Sequence, residues 1–202
     1  MSASAVTTEL IINAYRQGYF PMAHGRYGNI GFYYFEPRGI IPLDEKFIVR
    51  RSLRKVIEQQ RFTISVDAAF EKVMLACARY DELPDDEIWI SEEMLFLYRE
   101  LHHKGIAHSV EAWKDGKLVG GLYGLTVGSV FCGESMFSNE PFASQAALVY
   151  LIEYLRKHNY TLLDAQMESE HLKQFGLFTV PQDEYLRLLD DALMNQTLWD
   201  SI

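Results

Sequence analysis

Apolar residues recur mainly at helical spacing up to about residue 105 and at strand spacing through the stretch that follows. Between residues 9 and 18, Leu10, Ile11, Ala14 and Tyr15 form one stripe, which Gly18 stops and Pro21 keeps from resuming. An aromatic cluster of Phe32, Tyr33, Tyr34 and Phe35 then leads into a turn at Glu36-Pro37-Arg38-Gly39, and large rings of this kind mainly bury area. Residues 49–60 predict an amphipathic helix with its arginines outward, and 62–66 predict a strand. Asp67 is the predicted N-cap of a helix carrying Phe70, Val73, Met74 and Cys77. After a polar loop over 80–87, Ser91 opens a helix that ends near Gly105. The period then shortens to two over 106–113, 118–125 and 129–137, with Asp115-Gly116 as a hairpin turn between the first two runs. Helices over 142–157, 170–175 and 183–194 and a strand over 161–166 complete the chain, which contains no internal repeat. Periodicity by itself specifies a mixed α/β protein.

One predicted strand contains a charge. Cys132-Gly133-Glu134-Ser135-Met136 sets a carboxylate in a run otherwise built for burial, and a buried unpaired carboxylate is very costly. A cation is therefore expected at Glu134. Strict alternation puts Val130, Cys132, Glu134 and Met136 on one face, unless Gly133 bulges the strand and resets the register. The same period puts Leu162, Asp164 and Gln166 together on a second strand.

The 202 residues suffice for one ordinary domain with a small appendage. Apolar residues at 49% and charged residues at 23% describe a globular rather than a disordered chain. Cys77 and Cys132 have no metal-type spacing, which favours a reduced compartment. No apolar run of membrane-spanning length occurs and the start lacks a leader pattern, so a cytoplasmic protein with no membrane association is expected. A net charge of −9 argues against indiscriminate nucleic-acid binding over the whole surface. Its distribution is uneven. Residues 46–61 hold six basic side chains against Glu58 alone, while 80–100 are strongly acidic. Either run taken alone reads as a solvated face.

Several chemical motifs fail on inspection. Gly133-Glu134-Ser135-Met136-Phe137 lacks the second glycine of a hydrolase nucleophile elbow, which disfavours a serine hydrolase built on Ser135, His108 and Asp164. Glu100 to His103 and Glu168 to His171 have di-iron spacing, but a strand meander separates them, so no metal is expected. Gly120, Gly121 and Gly124 fit close packing in strands rather than a phosphate loop, and His108 fits a satisfied structural histidine.

Six stretches taken in order carry a family resemblance: 14–21, Pro37-Arg38-Gly39, 107–113, 118–124, 131–138 and Asp164-Ala165-Gln166. Together they resemble the bacterial leucyl/phenylalanyl-tRNA protein transferases over nearly the whole chain. The resemblance implies a small N-terminal domain over 1–61 and an acyl-CoA N-acyltransferase (GNAT)-like catalytic domain over 62–202. It also implies transfer of Leu, Phe or Met from aminoacyl-tRNA to the α-amine of proteins or peptides beginning with Arg or Lys, marking them for degradation through the N-end rule, with no cofactor and no metal. Asp164 and Gln166 carry over as catalytic residues, Asp164 orienting Gln166 and Gln166 holding the amine or the ester carbonyl. An ordinary carboxylate is a weak base unless burial raises its pKa, so a ribose hydroxyl is a second route for the proton. Glu134 carries over to the acceptor's N-terminus. Leu122, Phe131, Met136, Leu148, Leu151 and Leu163 carry over to the amino-acid pocket, although on sequence alone all six read as core. Tyr34 and Trp89 carry over to the tRNA 3′ end, where base stacking is sequence-tolerant, and Arg50, Arg51, Arg54 and Lys55 to tRNA phosphates.

This chain departs from the family's usual pattern at Ile88, where Thr is common, and at Gln145, where Lys is common. Both bear on donor preference and tRNA affinity. The rival readings are a related acyltransferase with another donor, such as an acyl thioester, and a non-catalytic binder of basic N-termini.

Overall fold

In the computed structural model, which describes residues 6–199, the first helix is α1 (Thr8–Arg16). Thr7 caps it by accepting from the Leu10 amide, and Gly18 at φ +81° turns the chain away. Strands β1 (Phe20–Ala23) and β2 (Ile30–Tyr33) pair with each other as a separate ribbon, whereas β3 (Arg38–Ile41) joins the main sheet. Next come α2 (Arg51–Glu58), β4 (Thr63–Val66), α3 (Phe70–Ala78) and α4 (Glu92–His103), the last capped by Ser91. Strands β5 (Ala107–Lys114) and β6 (Lys117–Val127) form the predicted hairpin, with Asp115 and Gly116 at positive φ as such a turn requires. The chain continues through β7 (Val130–Ser138), α5 (Ala143–Lys157), β8 (Leu162–Gln166), α6 (Glu170–Lys173), β9 (Phe178–Val180) and α7 (Gln182–Leu193).

The main sheet has the order β4-β5-β6-β7-β8-β3-β9. Strands β4 to β7 run antiparallel in sequence order, and α5 then carries the chain over one face so that β8 lies parallel to β7. An early strand, β3, inserts between β8 and β9, antiparallel to both. Residues of α1, α3, α4 and α7 cover one face in a core that includes Tyr123, Val130 and Cys132. Helices α5 and α2 cover the other, over Leu122, Phe131 and Leu163. A methyl group on Gly120 would meet Ala143 Cβ at 2.5 Å and the Ser144 nitrogen at 2.9 Å, so the glycine lets the start of α5 lie directly on β6.

Two local expectations are corrected. Asp67 does not cap α3. It adopts φ 57°, and its carboxylate accepts from the Ser109 amide and pairs with His108, while Glu111 of β5 accepts from the Ala68 and Ala69 amides at the helix start. The predicted 49–60 helix is shorter, at Arg51–Glu58, because the helical hydrogen bonds begin with Arg54 bonding back to Arg50.

Candidate active site

Strands β7 and β8 pair over three positions only: Val130 with Leu162, Phe131 with Leu163, and Cys132 with Asp164. Beyond them the strands part. On its other edge β7 stays paired with β6 but slips register, since Tyr123 faces Ser135 and Gly124 faces Gly133, which leaves Glu134 as the extra residue of a bulge. The bulge overturns strict alternation. Cys132 packs in the core under α1, α3 and α4, whereas Met136 packs in the opposite core with Phe131.

A cavity of about 120 Å³ opens where β7 and β8 separate. All six of the side chains assigned to the amino-acid pocket line it: Leu122, Phe131, Met136, Leu148, Leu151 and Leu163. Glu134, Ser135 and Asp164 also line it, so an apolar recess ends in polar groups.

The cation expected at Glu134 sits instead at Asp164. Glu134 receives three neutral donors: Tyr15 at 2.6 Å and Gln166 Nε2 at 2.8 Å on Oε1, and Tyr98 at 3.2 Å on Oε2. The Tyr15 and Tyr98 hydroxyls also lie 2.6 Å apart. Burial pushes the Glu134 pKa up to about 7, against the hydrogen bonds from Tyr15 and Tyr98 and with further help from the nearby Asp164 charge. Both tyrosines are pushed well above the ordinary phenol range, by burial first and then by Glu134.

Arg38 and Asp164 form a bidentate pair at 2.8 and 2.6 Å with both side chains fully buried. Burial works against the Arg38 charge, but Asp164 outweighs it and raises the guanidinium pKa. Arg38 also donates to the Gly18 carbonyl at 3.0 Å and lies over the rings of Phe20 and Tyr185. Tyr185 donates to Asp164 Oδ2 at 2.8 Å, and the Gln166 amide donates to Oδ1 at 2.8 Å. Gln166 itself sits at φ +60°, a left-handed conformation that this carboxylate helps to hold. Asp164 thus fixes the Gln166 backbone, and Gln166 spends its amide NH₂ on Glu134.

Four residues of this network, Tyr15, Arg38, Tyr98 and Tyr185, were not singled out from sequence. Tyr15 registers there only as an apolar member of a helical stripe, Tyr98 only as a position within the helix that Ser91 opens, and Arg38 as part of a turn. The signal that points to two of them is the family stretch itself, since Tyr15 and Arg38 fall inside matched motifs, whereas Tyr98 and Tyr185 fall outside them. The remaining predicted residues lie apart from the cavity lining. Tyr34 is half exposed and meets Tyr19 edge to face, and Trp89 is partly buried against the α1, α3 and α4 core. Arg50, Arg51, Arg54 and Lys55 are exposed at and along α2, with no ion pair to another described residue. His108 is engaged by Asp67 at 2.8 Å and the Gly105 carbonyl at 3.1 Å, so Ser135, His108 and Asp164 form no triad. Among the described residues no group of three His, Cys, Asp or Glu side chains is placed to hold a metal ion.

A sequence model described as leucyl/phenylalanyl-tRNA protein transferase matches residues 40–190, and one for the N-terminal domain of the same proteins matches 4–34. The chain belongs to the leucyl/phenylalanyl-tRNA protein transferase family. Relatives with that name support the assignment over nearly full length. That of Chlorobaculum parvum is 46% identical, with 93% of this chain and 96% of that protein covered, and that of Paramagnetospirillum magneticum is 48% identical, with 96% and 92% covered. Among solved structures, L-PGS from Bacillus licheniformis aligns at 15% identity and a TM-score of 0.42, covering 74% of this chain and 47% of that one.

Proposed function

We propose that this family member moves Leu or Phe, and also Met, from aminoacyl-tRNA to the α-amine of proteins whose first residue is Arg or Lys, marking them for degradation through the N-end rule. The observation that carries this reading is the cavity between β7 and β8, apolar along its walls and ending at Glu134 and Asp164. Engineered apolar cavities of about 150 Å³ accept benzene, so a recess of about 120 Å³ suits an unbranched or γ-branched side chain. An aminoacyl ester is already activated, and aligning it with an amine can contribute about 7–11 kcal/mol without a covalent intermediate. In this reading Asp164 orients Gln166, Gln166 aligns the amine with its carbonyl oxygen, and Glu134 receives the acceptor's cationic end.

Tyr34 and Trp89 serve the terminal adenosine by stacking, and the exposed row Arg50, Arg51, Arg54 and Lys55 serves acceptor-stem phosphates. Residues 1–61 act as the smaller unit that closes over the site through Tyr15, while sharing β3 with the sheet of 62–202. The antiparallel run β4 to β7, the crossover α5 and the splayed parallel strand β8 support a GNAT-like reading of that larger part. No helix among the described residues is long and apolar enough to cross a membrane, and both cysteines are free and buried, which supports a cytoplasmic place of work.

Transfer of radiolabelled leucine from Leu-tRNA to a peptide beginning with Arg tests the proposal, beside the same peptide with a blocked amine. Label is expected only in the free-amine peptide. No label from Leu-, Phe- or Met-tRNA would refute the reading.

A further inference from the structure

The two carboxylates at the strand split differ in how many of their acceptor positions the chain fills. A carboxylate offers about four lone-pair positions. At Asp164 all are met: Oδ1 takes Arg38 Nε and the Gln166 amide, and Oδ2 takes Arg38 Nη2 and the Tyr185 hydroxyl. An incoming ammonium finds no open position there. At Glu134 three are met, two on Oε1 and one on Oε2, so Oε2 keeps an open position on a residue that lines the cavity.

Building on the transferase reading above, we propose that Glu134 is the proton acceptor of the transfer step, and that Asp164 and Arg38 are positioning residues acting through Gln166. The acceptor's α-ammonium docks at Glu134 Oε2 and gives it one proton. The neutral nitrogen then attacks the ester carbonyl carbon, forming the C–N bond as the bond from that carbon to the ribose oxygen breaks. A second proton leaves the nitrogen for the ribose oxygen, so the products are an amide and a free hydroxyl, and Glu134 returns its proton to water.

The surroundings suit this role. The titratable groups facing Glu134 are Tyr15 from α1, Tyr98 from α4, Tyr123 from β6, Cys132 from β7 and Asp164 from β8, with Arg38 of β3 and Tyr185 of α7 behind Asp164. Burial raises the pKa of each of these tyrosines and of Cys132, so all are neutral near pH 7. A glutamate raised to about 7 accepts a proton more readily than an ordinary carboxylate, which is the tuning expected of a general base.

The pH dependence of kcat/KM for Leu-tRNA and an Arg-starting peptide tests the assignment. The reactive pair is ionised Glu134 with an ammonium acceptor, so the wild-type profile should be a bell, rising near pH 7 and falling near the amine pKa of about 8. Glu134→Gln should lose the rising limb and instead climb through about pH 8, with kcat at pH 7 reduced by about 10²- to 10⁴-fold. Tyr98→Phe removes a donor that favours the charged form, and it should move the rising limb to higher pH. A bell that survives in Glu134→Gln, or a loss confined to KM, overturns the assignment. Absence of transfer by the wild-type protein overturns the transferase reading itself, and this step with it.

Discussion

Replacing Arg38 by Met would keep most of the side chain's bulk and remove the cation that Asp164 bonds twice. Breaking a buried ion pair from one side costs about 3–5 kcal/mol, because the remaining charge stays in a dry place. Urea denaturation of Arg38→Met should register a loss of that size, with Arg38→Lys intermediate because lysine lacks the planar fork. Glu134 gives a prediction of opposite kind. Its folded pKa is about 7 against an ordinary 4.5, so the folded state favours the protonated form. This group's contribution is therefore fully present below about pH 4.5 and declines as pH rises to about 7, by an amount on the order of 3 kcal/mol. Wild type minus Glu134→Gln stability, measured across pH 4–8, should fall over that window. At this scale the carboxylates were legible because a charge inside an apolar run demands an explanation. Their partners were not, since Tyr15 looks like any aromatic of a buried stripe and nothing in the spacing around Arg38 says that it points inward.

Elements were easier to read than contacts. The hairpin, the α5 crossover and β8 follow from turn residues and period, whereas the bulge at Glu134 depends on which residues of β6 and β7 meet across the sheet. Gly124 is where that meeting is tightest: a methyl group there would run into the Cys132 carbonyl and the Phe131 ring. Gly124→Ala should force β7 off β6, costing about 1–3 kcal/mol, and it should depress transfer more than a surface change of equal stability cost. The cavity walls make a separate prediction. Leu148 and Leu151 come from α5 and both line the recess, so Leu148→Phe should fill part of it and lower kcat/KM for Phe-tRNA more than for Leu-tRNA. Equal losses for the two donors would argue against this recess as the amino-acid pocket. No sequence period separates these six residues from ordinary core. Family likeness grouped them, and the parting of β7 from β8 shows why they surround space.

Charge is distributed over the whole molecule so that a net −9 chain still presents a basic helix face. If Arg50, Arg51, Arg54 and Lys55 each meet a phosphate, log affinity for tRNA should fall with log salt at a slope of about −3. The double change Arg50→Glu and Arg54→Glu should flatten that slope and weaken binding, leaving thermal stability nearly unaltered because both side chains are exposed. The overall charge was legible from composition, and the outward basic face from the period of residues 49–60; the structure trims that helix to Arg51–Glu58. The site also ties together distant parts of the chain. Tyr15 reaches Glu134 across 119 residues, and Arg38 reaches Asp164 across 126 and Tyr185 across 147. During synthesis Arg38 leaves the ribosome long before either partner exists, and α1 must wait for most of the chain before Tyr15 can find its carboxylate. Such distant closures are slow to form, so competence comes late, once α7 has emerged and Tyr185 can complete the Asp164 cluster.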